Sequence, residues 1–182
     1  GTETLDAFRL GQLWDEIVLT QEEASIATAL KLIEPRIERI AFVGENRREA
    51  RRVFIKLANP DRRLPLGTLG EGVGRLLSLI LHLLSSPNGY LLVDEIDTGL
   101  HHTVMANMWK LVIETAKRLD TQIFATTHSW DCVEALAWIH HRHPELAQEV
   151  RLHRFDPRIP TSTVVYTMDE IAIAARDHIE VR

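Results

Sequence analysis

The sequence predicts an α/β fold with a core of mostly parallel strands flanked by helices, and antiparallel hairpins at its margins. Three observations carry that prediction. Residues 90 to 95 (YLLVDE) are a short continuous apolar run ending in two carboxylates, the pattern of a buried parallel strand that reaches solvent at its C-terminal mouth. Residues 103 to 118 follow with Val104, Met108, Leu111 and Val112 spaced along one helical face, and residues 122 to 126 (QIFAT) make a second strand. A strand, a helix and a strand in that order form a parallel pair with a right-handed crossover.

The other elements follow in chain order. Thr20 precedes an Ala- and Leu-rich stretch running to Glu34, with Glu23 three residues on, so a helix with a reciprocal capping box is predicted there. Pro35 ends it. Residues 36 to 58 read as an antiparallel hairpin, with Ile37, Ile40 and Phe42 on one strand, Gly44-Glu45-Asn46 as the turn, and Val53, Ile55 and Leu57 alternating on the return. Residues 59 to 69 read as a loop. Residues 73 to 86 (VGRLLSLILHLLSS) are apolar on nearly every side and form a buried helix, which Pro87-Asn88-Gly89 breaks. Beyond the second strand, Ser129 caps a helix carrying Val133, Leu136 and Trp138, and a hairpin over 150 to 167 leads to a last helix from Asp169 to about His178.

Composition sets the bounds. At 182 residues the chain is expected to form one domain burying roughly 70% of its unfolded surface, with no internal repeat or dividing linker. Within it, residues 1–65 are a helix and hairpin region, 66–136 hold the motifs described below, and 137–182 are a C-terminal hairpin and helix. No apolar run approaches the ~20 residues that span a bilayer, so no membrane segment is expected. The single cysteine, Cys132, excludes an internal disulfide and fits a reducing, cytoplasmic setting. A net charge of -5 argues against uniform coating of nucleic acid. The chain opens on Gly1 without a leader, and is expected to be a processed product or part of a longer one.

Chemistry concentrates at the strand mouths. Ligands of parallel sheets bind at the C-terminal ends of the strands, where Asp94 and Glu95 close the first and His128 lies just past the second. In a nucleotide enzyme the first carboxylate of such a pair serves Mg²⁺ and the second takes a proton from the attacking water. Upstream, Gly70, Gly72 and Gly74 precede or open the buried helix, letting backbone amides approach an anion near its positive end.

From Leu66 to Leu136, in unbroken order, these stretches resemble the ABC-type ATPases of the AAA family ATPase group related to the overcoming-lysogenisation-defect proteins, many of them from bacterial phage-defence systems. Residues 66 to 75 (LGTLGEGVGR) look like the signature motif, residues 90 to 95 like Walker B, residues 97 to 101 (DTGLH) like the D-loop, and Thr126 to Ser129 like the switch-histidine region. The resemblance implies the C-terminal lobe of a P-loop NTPase-like fold that hydrolyses ATP with Mg²⁺ in a head-to-tail homodimer. It implies Asp94 as the metal residue, Glu95 and His128 as the catalytic ones, and Thr68, Gly70, Glu71, Gly72 and Asp97 as nucleotide contacts, Asp97 communicating across the dimer. Thr68 stands where the usual serine would, with Leu69 between it and the first glycine.

Two elements of that family are absent from the sequence. No GxxxxGK[ST] occurs, and no glutamine loop is identifiable, so nothing here cradles the β- and γ-phosphates. The expected enzyme is therefore an ATP hydrolase only when joined to a missing N-terminal Walker A lobe, and this chain alone is expected to be inactive. Further partners are a nuclease or another effector. The rival reading is a non-catalytic dimerisation or regulatory module that retains an ATPase lobe, and a helicase ranks third because helicases pair such a box with their own phosphate-binding loop and not with a glycine-rich signature upstream. Arg47, Arg48, Arg51 and Arg52 suit either DNA phosphates or a solvated hairpin tip, with Glu45 and Glu49 interleaved. His101-His102 and His140, His141 and His143 have no metal-ligand spacing, and the four tryptophans read as core and interface anchors.

Overall fold

The computed structural model describes residues 7–44, 52–58, 62–155, 163–177 and 179. In chain order these form α1 (Ala7–Ile17), α2 (Glu22–Leu30), β1 (Ile37–Val43), β2 (Arg52–Leu57), β3 (Arg62–Pro65), a 3-10 turn (Leu66–Leu69), α3 (Glu71–Leu84) and β4 (Tyr90–Val93). There follow α4 (His102–Leu119), β5 (Gln122–Ala125), α5 (Trp130–Arg142), α6 (Pro144–Ala147), β6 (Leu152–Phe155), β7 (Thr163–Tyr166) and α7 (Met168–Arg176). They group into two compact units, one of Gly1–Val93 with Thr115–Phe124, the other of Asp94–Glu114 with Ala125–Arg182.

The first unit is built around α3. Val73, Leu76, Leu77, Ile80, Leu81, Leu83 and Leu84 are all buried, as the run apolar on nearly every side predicts. Both α1 and α2 pack on α3, bringing Leu13, Trp14, Ile26 and Leu30 into the core. The α1 helix has no counterpart in the sequence reading. The β1–β2 hairpin pairs Ile40 with Ile55 and Ile37 with Leu57, so its buried residues share one face. Trp14 stacks on Phe42 with ring centroids 5.1 Å apart. The predicted turn at Gly44-Glu45-Asn46, like Arg47, Arg48 and Arg51, lies largely outside the described residues.

Two departures in this unit have physical causes. Residues 62 to 65, expected as loop, pair with β2 as β3, placing Pro65 opposite Phe54 and Arg62 opposite Leu57. Charged residues and a proline are tolerated on an edge strand, so its composition reads as loop. The predicted capping box at Thr20 is displaced by one residue. The Thr20 hydroxyl accepts from Glu22 N–H at 3.2 Å, but the Glu23 carboxylate reaches Leu19 N–H at 2.9 Å, with Leu19 at φ 64. Helix α2 ends at Leu30, and turns carry the chain to Glu34.

The β4 and β5 strands form a two-stranded sheet. Gln122 N–H donates to the Gly89 carbonyl at 2.9 Å before the strands, and Ile96 N–H to the Thr126 carbonyl at 3.0 Å after them, so both advance in the same direction. The pair is parallel, as predicted. It is not buried on both faces, however: Leu91 is 9% exposed, whereas Tyr90 is 71%, Leu92 80% and Phe124 50% exposed. The Tyr90 and Phe124 rings meet on that open face, 6.3 Å apart. In α4 the buried stripe runs through Met105, Met108, Val112 and Ala116, rotated slightly from the predicted face because Val104 and Leu111 are only half-buried. Arg118 at its end forms a two-point ion pair with Glu22 of α2, one contact at 2.8 Å, and the Glu22 carboxyl is held below its usual range chiefly by that hydrogen bond.

The second unit has its own core. Val133, Leu136 and Ile139 of α5, Leu146 and Ala147 of α6, and Met168, Ile171 and Ala174 of α7 pack together, with Trp109 and Trp130 against them. Ser129 caps α5 as predicted, its hydroxyl accepting from Cys132 N–H at 3.3 Å. The β6–β7 hairpin and α7 also match the prediction. A capping box at Thr167 and Glu170 was not anticipated, and Trp138 is exposed.

Candidate functional site

β4 ends at Val93, and the chain turns sharply through Asp94 and Glu95, Glu95 at φ 48, where a residue with a Cβ rarely sits. The turn is fastened to Thr126, the first residue past β5. The Thr126 hydroxyl accepts from Glu95 N–H at 2.9 Å and donates to Asp94 Oδ1 at 2.5 Å, and its carbonyl takes Ile96 N–H at 3.0 Å. Ile96 is buried beneath the turn. Thr98 then turns back, its N–H donating to the Glu95 carbonyl and its hydroxyl to Glu95 Oε2, both at 3.0 Å. Gly99, at φ 77, lets the segment leave towards α4.

The residues after Thr126 hold Asp97 in the same way. The Thr127 hydroxyl donates to Asp97 Oδ1 and accepts from Ser129 N–H at 3.0 Å. Behind them lies Cys132, whose carbonyl accepts from the Trp109 indole at 3.0 Å and whose thiol is pushed up to about 11, first by burial. Glu95, Asp97, Thr98, His128 and Ser129 line an open cleft of about 280 Å³. The structure thus brings together three residues that the sequence singled out, Glu95, Asp97 and His128, and Asp94 joins them through the shared Thr126 hydroxyl.

The glycine-rich turn belongs to the first unit. The Thr68 hydroxyl donates to the Pro65 carbonyl at 2.7 Å, closing the 3-10 turn on itself. Gly70, at φ 91 and ψ 172, is the junction at which α3 begins, and Thr68, Gly70 and Glu71 are exposed. Gly72 and Gly74 were expected to share in an anion-binding turn. They lie instead within α3, Gly74 buried, so only Gly70 needs glycine's backbone freedom there.

The sequence placed Thr98 in the D-loop stretch and Thr126 and Thr127 in the switch-histidine stretch, but gave none of the three a role of its own. Their signal was two adjacent hydroxyls beyond one strand mouth, facing acids beyond the neighbouring one. The histidine clusters have other partners: His140 meets Asp169 at 3.0 Å, His143 meets Glu145 at 3.6 Å, and the His101 and His102 rings lie tilted with centroids 4.2 Å apart. Among the described residues no three or more His, Cys, Asp or Glu side chains converge as a metal cage.

Known proteins are similar to this chain over the stretch that holds these residues. A family profile described as "AAA domain, putative AbiEii toxin, Type IV TA system" matches residues 14–131, which include the glycine-rich turn, the acid turn and His128. An ATP/GTP phosphatase of Helicobacter pylori (strain ATCC 700392 / 26695) is 25% identical over 119 residues, 64% of this chain and 31% of that protein. The ABC-type organic anion transporter ABCA8B of Mus musculus is 38% identical over 72 residues, 40% of this chain and 4% of that one. The chain therefore spans a third or less of the length of these curated relatives. A solved SMC ATPase chain, from structural biochemistry of ATP-driven dimerization and DNA stimulated activation, matches with a TM-score of 0.57 at 12% identity, covering 88% of this chain and 92% of that one. At that identity the likeness is one of fold, and the fold is the P-loop ATPase type expected from the sequence.

Proposed function

This chain belongs to the AAA domain family, and from that premise we propose that it is the signature and Walker B lobe of an ABC-type ATPase that binds and hydrolyses ATP as a homodimer. One observation carries the reading: Glu95, Asp97 and His128 line a single cleft whose acid turn is fastened at Asp94, Glu95 and Ile96 to the end of the neighbouring parallel strand. That arrangement suits phosphoryl transfer, in which the protein contributes positioning and electrostatics. Glu95 is the group that accepts the proton of the attacking water, His128 contacts the terminal phosphate, and Asp97 communicates with the second subunit. Thr68, Gly70, Glu71 and Gly72 present the signature surface to that subunit's nucleotide.

The donor set fits Mg²⁺. Asp94 is an exposed hard-oxygen ligand, and Mg²⁺ is ordinarily held by one or two carboxylates with substrate phosphates and water, so no all-protein cage is needed. When bound, the ion neutralises charge on the transferred phosphoryl group.

The phosphate cradle is supplied in this reading by a Walker A lobe, in cis or in trans, since no GxxxxGK[ST] occurs in the sequence. The open apolar face of Tyr90, Leu92 and Phe124 supports further covering chain, because parallel sheets are ordinarily covered on both faces. We place the chain in the group related to overcoming-lysogenisation-defect proteins, in the cytoplasm, in a phage-defence or DNA-associated system with a nuclease or another effector as partner. No helix among the described residues is long and apolar enough to cross a membrane.

Glu95→Gln in the complete ATPase tests the assignment. The substitution keeps size and a carbonyl acceptor but removes the basic oxygen, so ATP still binds. Turnover falls by about 10²- to 10⁴-fold, the worth of a positioned general base, and ATP-bound dimers accumulate on a sizing column. Turnover near the wild-type rate with no trapped dimer would return the chain to the non-catalytic module.

A further inference from the structure

We propose that Thr126 is the positioning residue that holds Asp94 and Glu95 in working geometry, an assignment that rests on the ATPase reading above. Three consecutive residues of the acid turn bond to this one threonine. Its hydroxyl donates to Asp94 Oδ1 at 2.5 Å and accepts from Glu95 N–H at 2.9 Å, while its carbonyl accepts from Ile96 N–H at 3.0 Å. A hydroxyl has one proton, so donation to Asp94 fixes the rotor and leaves a lone pair for the Glu95 amide. The one hydroxyl can therefore make both bonds at once.

Their effect is on the turn's shape. Glu95 sits at φ 48, a conformation that a side-chain-bearing residue keeps only when its surroundings over-determine it. The bonded amides of Glu95 and Ile96 bracket that residue. The same hydroxyl sets where Asp94 presents its carboxylate, so one side chain fixes both the metal-side acid and the backbone that aims the proton-accepting one. Thr98 acts further out, touching only Glu95 in this pair, and Thr127 acts on Asp97. Thr126 alone among these three bonds to both Asp94 and Glu95.

The test compares Thr126→Val, Thr126→Ala and Thr126→Ser with Glu95→Gln in the complete ATPase, and follows amide hydrogen exchange in the chain itself. Loss of the hydroxyl in the Val and Ala variants lowers kcat by about 10- to 100-fold, the usual cost of removing an outer partner of a metal-side ligand. It raises the Mg²⁺ concentration needed for half-maximal rate, leaves KM for ATP within about three-fold, and speeds exchange at the Glu95 amide. Thr126→Ser restores kcat and exchange protection, because it keeps the hydroxyl. Val and Ala variants turning over within about two-fold of wild type while Glu95→Gln is inactive would overturn the role of Thr126 alone. So would a Ser variant as impaired as Val, which would assign the effect to the methyl group. Wild-type turnover by Glu95→Gln would instead remove the ATPase reading and this role with it.

Discussion

The glycine-rich turn before α3 and the acid turn after β4 both pass through positive φ, but they are held there by different means. Gly70, at φ 91, is in a region open essentially to glycine, and a Cβ built on it meets nothing within 4 Å. Its requirement is for backbone freedom and not for space. Glu95 carries a full side chain at φ 48 and is kept there by bonds to one residue, Thr126, some thirty positions away in sequence. One turn is specified by residue type, the other by partners, so they fail differently when altered.

The largest effect that would sharpen this contrast is on turnover. Asp94→Asn in the complete ATPase lowers kcat by more than about 10²-fold, as expected for a fixed charge at the reacting centre, and raises the Mg²⁺ requirement while this chain still folds. Steady-state rates across a Mg²⁺ titration check it, and an unchanged requirement would take Asp94 out of the metal role.

Gly70→Ala is the intermediate case. Forcing a Cβ into that conformation costs about 1 to 3 kcal/mol, read as a lower urea midpoint for this chain with unchanged slope. A stability within experimental error of wild type would show that the turn relaxes, and the contrast between the two turns would break.

The smallest effect lies away from both turns and calibrates them. The Arg36 guanidinium hydrogen-bonds Glu34 and, with the Arg36 backbone amide, holds its carboxyl down to about 2 from a usual 4.5. A depressed folded pKa contributes stability that is present above about pH 4.5 and lost as pH falls towards 2. Arg36 is solvent-exposed, so screening keeps the pair's contribution small, and Glu34→Gln lowers stability only slightly at neutral pH. Thermal melts at pH 7 and pH 2.5 check it, the variant and wild type converging at the lower pH. A gap that widened on acidification would reverse the sign of the linkage.

Much of the fold was legible because burial imposes periodicity within a single element. The apolar run of α3, the β1–β2 alternation, the Ser129 cap and the order strand, helix, strand each lie in one contiguous stretch. The acids and His128 were legible for a related reason, since parallel strand ends are where ligands bind. β3 was not, because an edge strand of Arg62, Arg63 and Pro65 carries loop composition, and α1 was passed over although Leu10, Leu13, Trp14 and Ile17 give it a helical stripe.

What the sequence by itself determined, then, is where the chain is helical or extended, that a parallel pair carries two acids and a histidine at its mouths, and that no phosphate-binding loop accompanies them. Only the tertiary structure decided that Thr126 grips Asp94 and Glu95, that Thr127 grips Asp97, that Glu95 is turned to positive φ, and that Tyr90, Leu92 and Phe124 stay open to solvent. The reason is that periodicity records how one element meets the core. The order strand, helix, strand brings the two C-terminal ends together, but which side chains bond across them depends on atomic placement that no local residue pattern encodes.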